Sequence, residues 1–386
     1  MEKVRPQVSI RKCEDYTQDL VEQKLALCLN DLGGMGRFVK PGDRVVLKVN
    51  LLRAASPLEA ITTHPAVVLA LSRQVEKAGA DPLVADSPGG RFTKNRLHKV
   101  YEKAGLLELE RRGELKLNWD LSAARVPFPK GKILRSVDIL KQVREADGVI
   151  TVPKLKTHTQ TVITGATKIL YGVIPGLAKT GYHAKLPDKS DFNEMLIDLV
   201  CLVNPRLSVM DGILGMDGNG PSVGTPRWGR VIVASPNSVA VDIVCAEIMG
   251  LSPRKVPLLA TAVARGLCPG SVGELELSGD PLEDAKGGPW KIPTSRVGVM
   301  EYLAERVPPR VLRRMGTLLV RRPAPDRERC RACGECVRNC PQQCMKIHND
   351  RLTINYSKCI SCFCCAETCP NKAIKVKEPL LSRKNS

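Results

Sequence analysis

Between residues 7 and 282, short β-branched apolar runs alternate with longer segments whose apolar positions recur every three to four residues. The runs RVVLKVN (44–50), DPLVADS (81–87), GVITVPK (148–154), LSVMDGI (207–213) and RVIVAS (230–235) predict strands. The segments DLVEQKLALCLNDL, PAVVLALSRQVEKAG and FNEMLIDLVCLV predict amphipathic helices. Near-continuous apolar strands separated by such helices predict an α/β domain, with a mostly parallel sheet flanked by helices. Sheets of this kind bind ligands at the carboxyl ends of their strands. The polar and Gly-rich segments that follow the strands are therefore the place to look for chemistry.

The pattern changes at residue 283. Residues 283–325 read as a connector, in which VLRRMGTLLVRR predicts a basic amphipathic helix that either docks on the large domain or meets an acidic partner or membrane surface. Residues 326–378 form a second, small α+β unit. There CMKIH and RLTIN alternate around an Asn-Asp turn and predict a hairpin, and AIKVK predicts a closing strand.

Ten of the 15 cysteines fall between residues 330 and 369. Cys330, Cys333, Cys336 and Cys340 precede Pro341; Cys359, Cys362, Cys365 and Cys369 precede Pro370, each ligand 29 positions after its counterpart. Both runs read C-x2-C-x2-C-x3-C-P, an internal repeat in which Cys344 aligns with Ala373 and Cys364 with Glu335. Neither Cys344 nor Cys364 occupies a ligand position. Zinc also uses C-x2-C pairs, but two such complete runs fit two 4Fe-4S clusters far better. The remaining five, Cys13, Cys28, Cys201, Cys245 and Cys268, are expected to be packed core thiols.

The repeat closely resembles the two-cluster bacterial ferredoxin module, in which the fourth cysteine of each run ligates the other cluster. The resemblance implies that cluster one uses Cys330, Cys333, Cys336 and Cys369, and cluster two Cys340, Cys359, Cys362 and Cys365. It also implies electron transfer to or from a redox partner protein.

The formal charge is +19, and residues 301–386 hold 18 Lys and Arg against 8 Asp and Glu. Thiolate-bound clusters offset part of this excess. Aromatics make up only 4%, and no base-stacking or groove-reading motif accompanies the charge, which argues against nucleic acid as a partner. No G-x-G-x-x-G or P-loop follows the strands, and no flavin, nicotinamide or nucleotide site is recognised. No transmembrane run appears and the N-terminal segment is charged, which leads us to expect a cytoplasmic protein with peripheral membrane contact possible.

Several polar residues recur at predicted strand ends. Lys154, Lys156 and His158 lie in PKLKTH, Lys168 in TGATKILYG, and His183 further on; these are the candidate catalytic residues. Lys48, Asn50, His64, Asp86, Ser87, Asp211 and Asn219 are candidate substrate-binding residues. Each also has a plain structural reading: surface charge for the lysines, a helix cap for His64, turn roles for Asp86 and Asn219. Pooled, they predict a cationic, His-containing cleft for an anionic small molecule.

The segments GDRVVLKVNLL, THP, AGADPLVADSPGG, EADGVITVPKLKTH, TGATKILYGVIPG, DGILGMDGNGPSVGTPR and SVAVDIVCAEIMG together resemble domain-of-unknown-function family 362. Ile169 departs from its pattern, where Asn is expected after the lysine. The resemblance implies an iron–sulfur protein with a ligand cleft and carries no settled reaction. The expected function is an iron–sulfur oxidoreductase relaying electrons to an anionic or carbonyl substrate; the rival is a non-catalytic electron carrier that docks a redox enzyme.

Overall fold

The computed structural model describes residues 5–186, 188–293 and 321–377; the expected basic helix lies outside them except for its last two residues. The large domain contributes strands β1 (Gln7–Lys12), β2 (Arg44–Val49), β3 (Asp81–Ala85), β4 (Ala123–Pro127), β5 (Ser136–Leu140), β6 (Gly148–Val152), β7 (Lys154–His158), β8 (Val162–Thr164), β9 (Leu207–Asp217), β10 (Thr225–Ser235) and β11 (Glu276–Gly279). The main sheet runs β11-β1-β10-β9-β6-β2-β3, with β7 and β8 branching beside β9; β4 and β5 pair separately. Pairing is parallel at β11–β1, β9–β6, β6–β2, β2–β3 and β7–β9, and antiparallel at β1–β10, β10–β9 and β7–β8. The mostly parallel α/β architecture expected from the sequence is the one observed.

Side-chain alternation divides the core between the two faces of the sheet. Val46, Val149, Met210, Val231 and Val233 join one cluster, under the helices Lys189–Val203, Ser238–Ile248 and Pro257–Ala264. Val45, Leu47, Val49, Ile150, Val209 and Ile232 join the other, under Gln18–Asp31, Pro65–Lys77 and Lys94–Lys103. Strands covered on both faces cannot show a polar stripe, which is why they read as continuous apolar runs. The helices start where the chain supplies caps: Asn237 accepts from the Val239 and Ala240 N–H groups, and Asp188 from that of Ser190.

The polar segment at the end of the predicted strand 148–154 is itself a strand. Lys154–His158 forms β7, and all five of its residues are buried. Leu155 enters the core on one side, while the lysines on the other side find partners inside the protein. The Lys154 ammonium donates to Asp211 Oδ2 at 2.7 Å and to the Tyr16 hydroxyl at 2.7 Å. Tyr16 in turn donates to Asp211 Oδ1 at 2.7 Å, and the His64 N–H donates to Oδ2 at 2.9 Å. The His64 ring stacks on Tyr16 with centroids 3.5 Å apart, and its Nδ1 caps the helix Pro65–Lys77 by accepting from the Ala66 N–H. This closed network ties β7 to β9 and to the N-terminal segment. Of the five scattered cysteines, Cys13, Cys28, Cys245 and Cys268 are buried as expected, whereas Cys201 is exposed, on the outer side of the helix Lys189–Val203.

The small unit holds two antiparallel pairs, β12 (Arg322–Pro325) with β15 (Ile374–Lys377) and β13 (Met345–His348) with β14 (Arg351–Ile354). Asn349 and Asp350 both take positive φ, at 47° and 56°, which closes the β13–β14 hairpin in two residues. The repeat is written into the backbone: Ala332 and Ser361, Gly334 and Phe363, and Gln343 and Lys372 are pairs 29 apart that share positive φ. The unit docks on the large domain through Arg96 to Glu335 (2.9 Å) and Lys372 to Glu59 (2.8 Å).

Because Lys154 and Asp211 are fully buried, truncating one strands the other. Asp211→Ala is expected to cost about 3–5 kcal/mol, read as a lowered urea midpoint by circular dichroism. A loss below about 1 kcal/mol would mean that the network contributes little to the fold.

Candidate functional site at the junction of the two domains

The eight ligand-position cysteines fall into two groups in space. Burial pushes the Cys336 thiol up to about 11, and the thiols that add to the effect are Cys369, Cys333 and Cys330. Cys340, Cys359, Cys362 and Cys365 line one cavity of about 290 Å³, together with Cys344 and Phe363. The fourth cysteine of each run thus sits with the first three of the other. Backbone N–H groups of Cys344 and Ala373 donate to the sulfurs of Cys340 (3.4 Å) and Cys369 (3.2 Å), at equivalent places in the repeat. Such N–H···S bonds stabilise thiolate ligands and tune cluster potentials. The residues present therefore fit iron–sulfur clusters held by crossed ligand sets.

A second, larger cavity lies between this unit and the strand ends of the large domain. It encloses about 730 Å³ counted to its open mouth. Lys48 and Asn50 reach it from the end of β2, Asp86 and Ser87 from the end of β3, and Lys156 from β7. Lys168, Tyr171 and Gly172 come from the 3-10 turn Lys168–Val173, and Lys179 and His183 from the helix Ala178–Lys185. Cys364, Glu367 and Thr368 of the small unit close the remaining side.

Four lysines converge on this cavity against two carboxylates. Lys48 has its own counter-ion, Asp86 Oδ1 at 2.7 Å, while Asp86 Oδ2 accepts from the Leu51 N–H at 2.6 Å. Gly172 makes room for this pair, since a Cβ there would fall 2.3 Å from Asp86 Oδ1 and 2.6 Å from Lys48 Nζ. Lys156 donates to the Ile61 carbonyl at 2.7 Å. Lys179 donates to the Ile174 and Ser87 carbonyls and to Ser87 Oγ, each at 2.8 Å. These oxygens orient the two ammonium groups without neutralising them. Burial accordingly pulls both Lys156 and Lys179 down to about 7. Thr164 Oγ1, buried in the same wall, has no hydrogen-bond partner among the described residues.

Behind Lys168 stands His158. Its Nε2 lies 2.8 Å from Lys168 Nζ and 3.4 Å from Glu367 Oε1, and its Nδ1 accepts the Gln160 N–H at 3.1 Å. Burial, then Lys168, holds the imidazole well below its usual range, so the ring is neutral. His183 stacks on Phe192 at 4.6 Å and is lowered to about 4 by burial, then by Lys168. Burial raises the Glu367 carboxyl, against the pull of Lys168 and Lys156.

Among the residues singled out in the sequence, Lys48, Asn50, Asp86, Ser87, Lys156, Lys168 and His183 line this cavity, and His158 backs it. Lys154, His64 and Asp211 belong to the closed network beside β9 and are not in its wall. Asn219 sits exposed in the turn between β9 and β10. Sequence reasoning missed Lys179 and Glu367, whereas Thr164, in the polar segment TGATKILYG beside Lys168, does line the cavity. Lys179 carries only the signal of a lysine in a Gly-rich segment, LAKTGYH. Glu367 lies within the cysteine repeat, where attention goes to the ligands. Ile169, at the position of the family departure, contributes an apolar patch to the wall.

Comparison with known proteins agrees with this division. Residues 322–370 match a family model described as a 4Fe-4S dicluster domain, which gives the chain an iron–sulfur electron-transfer role. A thylakoid-associated protein of Synechocystis sp. is 35% identical over 296 residues, spanning 74% of this chain and 87% of that protein. A solved lactate racemase apoprotein from Thermoanaerobacterium thermosaccharolyticum aligns with a TM-score of 0.39 and 14% identity, over 63% of this chain and 57% of that one. Residues 45–247 match the model described as Domain of unknown function (DUF362). The chain belongs to that family, joined to a C-terminal 4Fe-4S dicluster domain.

Proposed function

We propose that this is a two-cluster iron–sulfur oxidoreductase that passes electrons from its ferredoxin-type domain to an anionic or carbonyl-bearing substrate in the junction cavity. One observation carries the reading. The single helical turn Cys364–Glu367 presents Cys365 to the cysteine-lined cavity on one side, and Cys364 and Glu367 to the lysine-lined cavity on the other. The clusters, when bound, supply one-electron transfer. A carrier that merely docks another enzyme has no need of a cationic cavity behind its cluster ligands, so the geometry favours the enzyme over the adaptor.

Within the cavity, Lys156 and Lys179 provide charge that no protein carboxylate neutralises, and Thr164 Oγ1 provides a free hydroxyl. An anion entering there gains charge-assisted hydrogen bonds in a site of low dielectric. His183, neutral and in the wall, is placed to manage a proton. Electrons come from an external redox protein. This reading also includes a cytoplasmic location with peripheral contact at an acidic membrane surface. It is supported by the formal charge of +19, by the absence of a membrane-crossing helix among the described residues, and by the thylakoid association in the name of the Synechocystis relative.

Anaerobically purified protein is expected to hold about eight irons per chain, two clusters of four, by iron and sulfide assay; four or fewer would contradict the two-cluster assignment. Anion affinity should depend on pH with a definite sign. Lys156 and Lys179 lose their protons near pH 7 in the free protein, and a bound anion restores their charge. Binding therefore takes up protons, and affinity falls as pH rises from about 6 to about 9. Calorimetry with sulfate in two buffers of different ionisation heat measures both effects. Lys156→Met and Lys179→Met should each weaken binding about tenfold or more. Binding insensitive to both changes would place the anion elsewhere.

A further inference from the structure

The contact between Lys168 and His158 fixes where a proton sits. The Gln160 N–H points at His158 Nδ1 from 3.1 Å, with the Thr161 N–H at 3.5 Å, so Nδ1 presents its lone pair. A neutral imidazole then carries its proton on Nε2, a tautomer assigned from these hydrogen bonds. That N–H lies 2.8 Å from Lys168 Nζ. An ammonium has no lone pair to accept it, whereas an amine does. The pair is complementary only when Lys168 is an uncharged amine.

We infer that Lys168 is a nucleophile that forms an imine with the carbonyl carbon of an anionic 2-oxo acid, with His158 as the positioning residue that holds Nζ as an uncharged amine in the free site and releases its lone pair when the substrate carbonyl takes the place of the Nε2–H hydrogen bond. The inference rests on the proposed anion-binding role of the cavity and deepens it by naming the substrate class. Lys168 lines that cavity and shares it with Lys156 and Lys179, which would hold the carboxylate while the neighbouring carbonyl meets Nζ. In the step, the Nζ lone pair bonds to the carbonyl carbon and the carbonyl π pair moves to oxygen. The nitrogen gives up both of its protons as that oxygen departs as water, leaving a C=N bond. No oxidant or reductant enters. A protonated imine accepts an electron more readily than the parent carbonyl, which suits a site beside cluster ligands. Desolvated lysines with cationic neighbours are the ones that carry out such chemistry.

The groups facing Lys168 act in both directions. Lys48, Lys156, Lys179, His158 and His183 disfavour an added positive charge there, and Glu367, Asp86 and Cys364 favour it. Burial is the largest influence and lowers Lys168 from its ordinary value.

The test uses the full-length, cluster-loaded protein under anaerobic conditions, with pyruvate and 2-oxoglutarate as probes and cyanoborohydride to trap the imine, followed by peptide mass mapping. The expected result is a reduced oxo-acid adduct on the peptide containing Lys168, at least tenfold above any other lysine and missing in Lys168→Arg. His158→Phe removes the Nε2 donor, so trapping is expected to fall severalfold at neutral pH and to recover at alkaline pH, which a merely structural role would not produce. No adduct at Lys168, or adducts spread evenly and unchanged in Lys168→Arg, overturns the inference. Sulfate calorimetry on the same sample separates the two failures. Retained anion binding without an adduct overturns the nucleophile alone, and loss of both overturns the cavity assignment with it.

Discussion

A lysine ammonium is expensive to bury unless its protons find acceptors, and more so unless a negative charge lies near. This chain buries Lys48, Lys154, Lys156 and Lys179 around one end of its sheet. Two solutions are used. Lys48 and Lys154 each meet a carboxylate, Asp86 and Asp211, and become part of the framework. Lys156 and Lys179 meet only carbonyl and hydroxyl oxygens, so neither has a carboxylate hydrogen-bond partner, and a bound anion would be what restores their full charge near neutral pH. The difference between these pairs separates structure from function here, and the rest of the site follows from it.

The second constraint is how closely the ferredoxin-type unit approaches the strand ends. A Cβ on Gly89 would lie 2.9 Å from Thr368 Cγ2, and Asn339 Nδ2 packs 3.1 Å from the Cβ position of Gly90, so the Asp86–Gly90 turn admits the unit only because it carries glycine. Asn339 also donates to Thr368 Oγ1 at 3.2 Å. These two residues occupy equivalent places in the repeat, so the internal pseudo-symmetry of the module forms part of its docking face. The consequence is that residues lying between cluster ligands double as cavity wall.

Much of this was legible in the sequence, for physical reasons. Parallel strands buried on both faces must be apolar throughout, so β2, β6 and β9 announced themselves, and the 29-residue spacing of the cysteines named the module. The KLKTH segment is hard to recognise as a strand, because polar residues usually mark loops. Its period-2 alternation was the better signal, and the partners that let it be a strand, Asp211, Tyr16 and the Ile61 carbonyl, come from distant parts of the chain. Lys179 and Glu367 were invisible for a related reason. Their significance comes from a cavity built by two domains, which no local pattern encodes. Whether a lysine has a carboxylate beside it is likewise a tertiary fact, so Lys154 and Lys156 looked alike in sequence.

The central claim is that Lys156, Lys179 and Thr164 form an anion site in the wall shared with the cluster-bearing unit. A crystal structure of the anaerobic protein soaked with selenate, phased on selenium anomalous scattering, measures this directly. The account requires a selenium peak in the junction cavity, with selenate oxygens within hydrogen-bond reach of Lys156 Nζ, Lys179 Nζ and Thr164 Oγ1 and with Glu367 and Thr368 closing the far side. A cavity without that peak while selenate binds elsewhere on the basic surface, or a ferredoxin-type unit docked away from the strand ends, would contradict it.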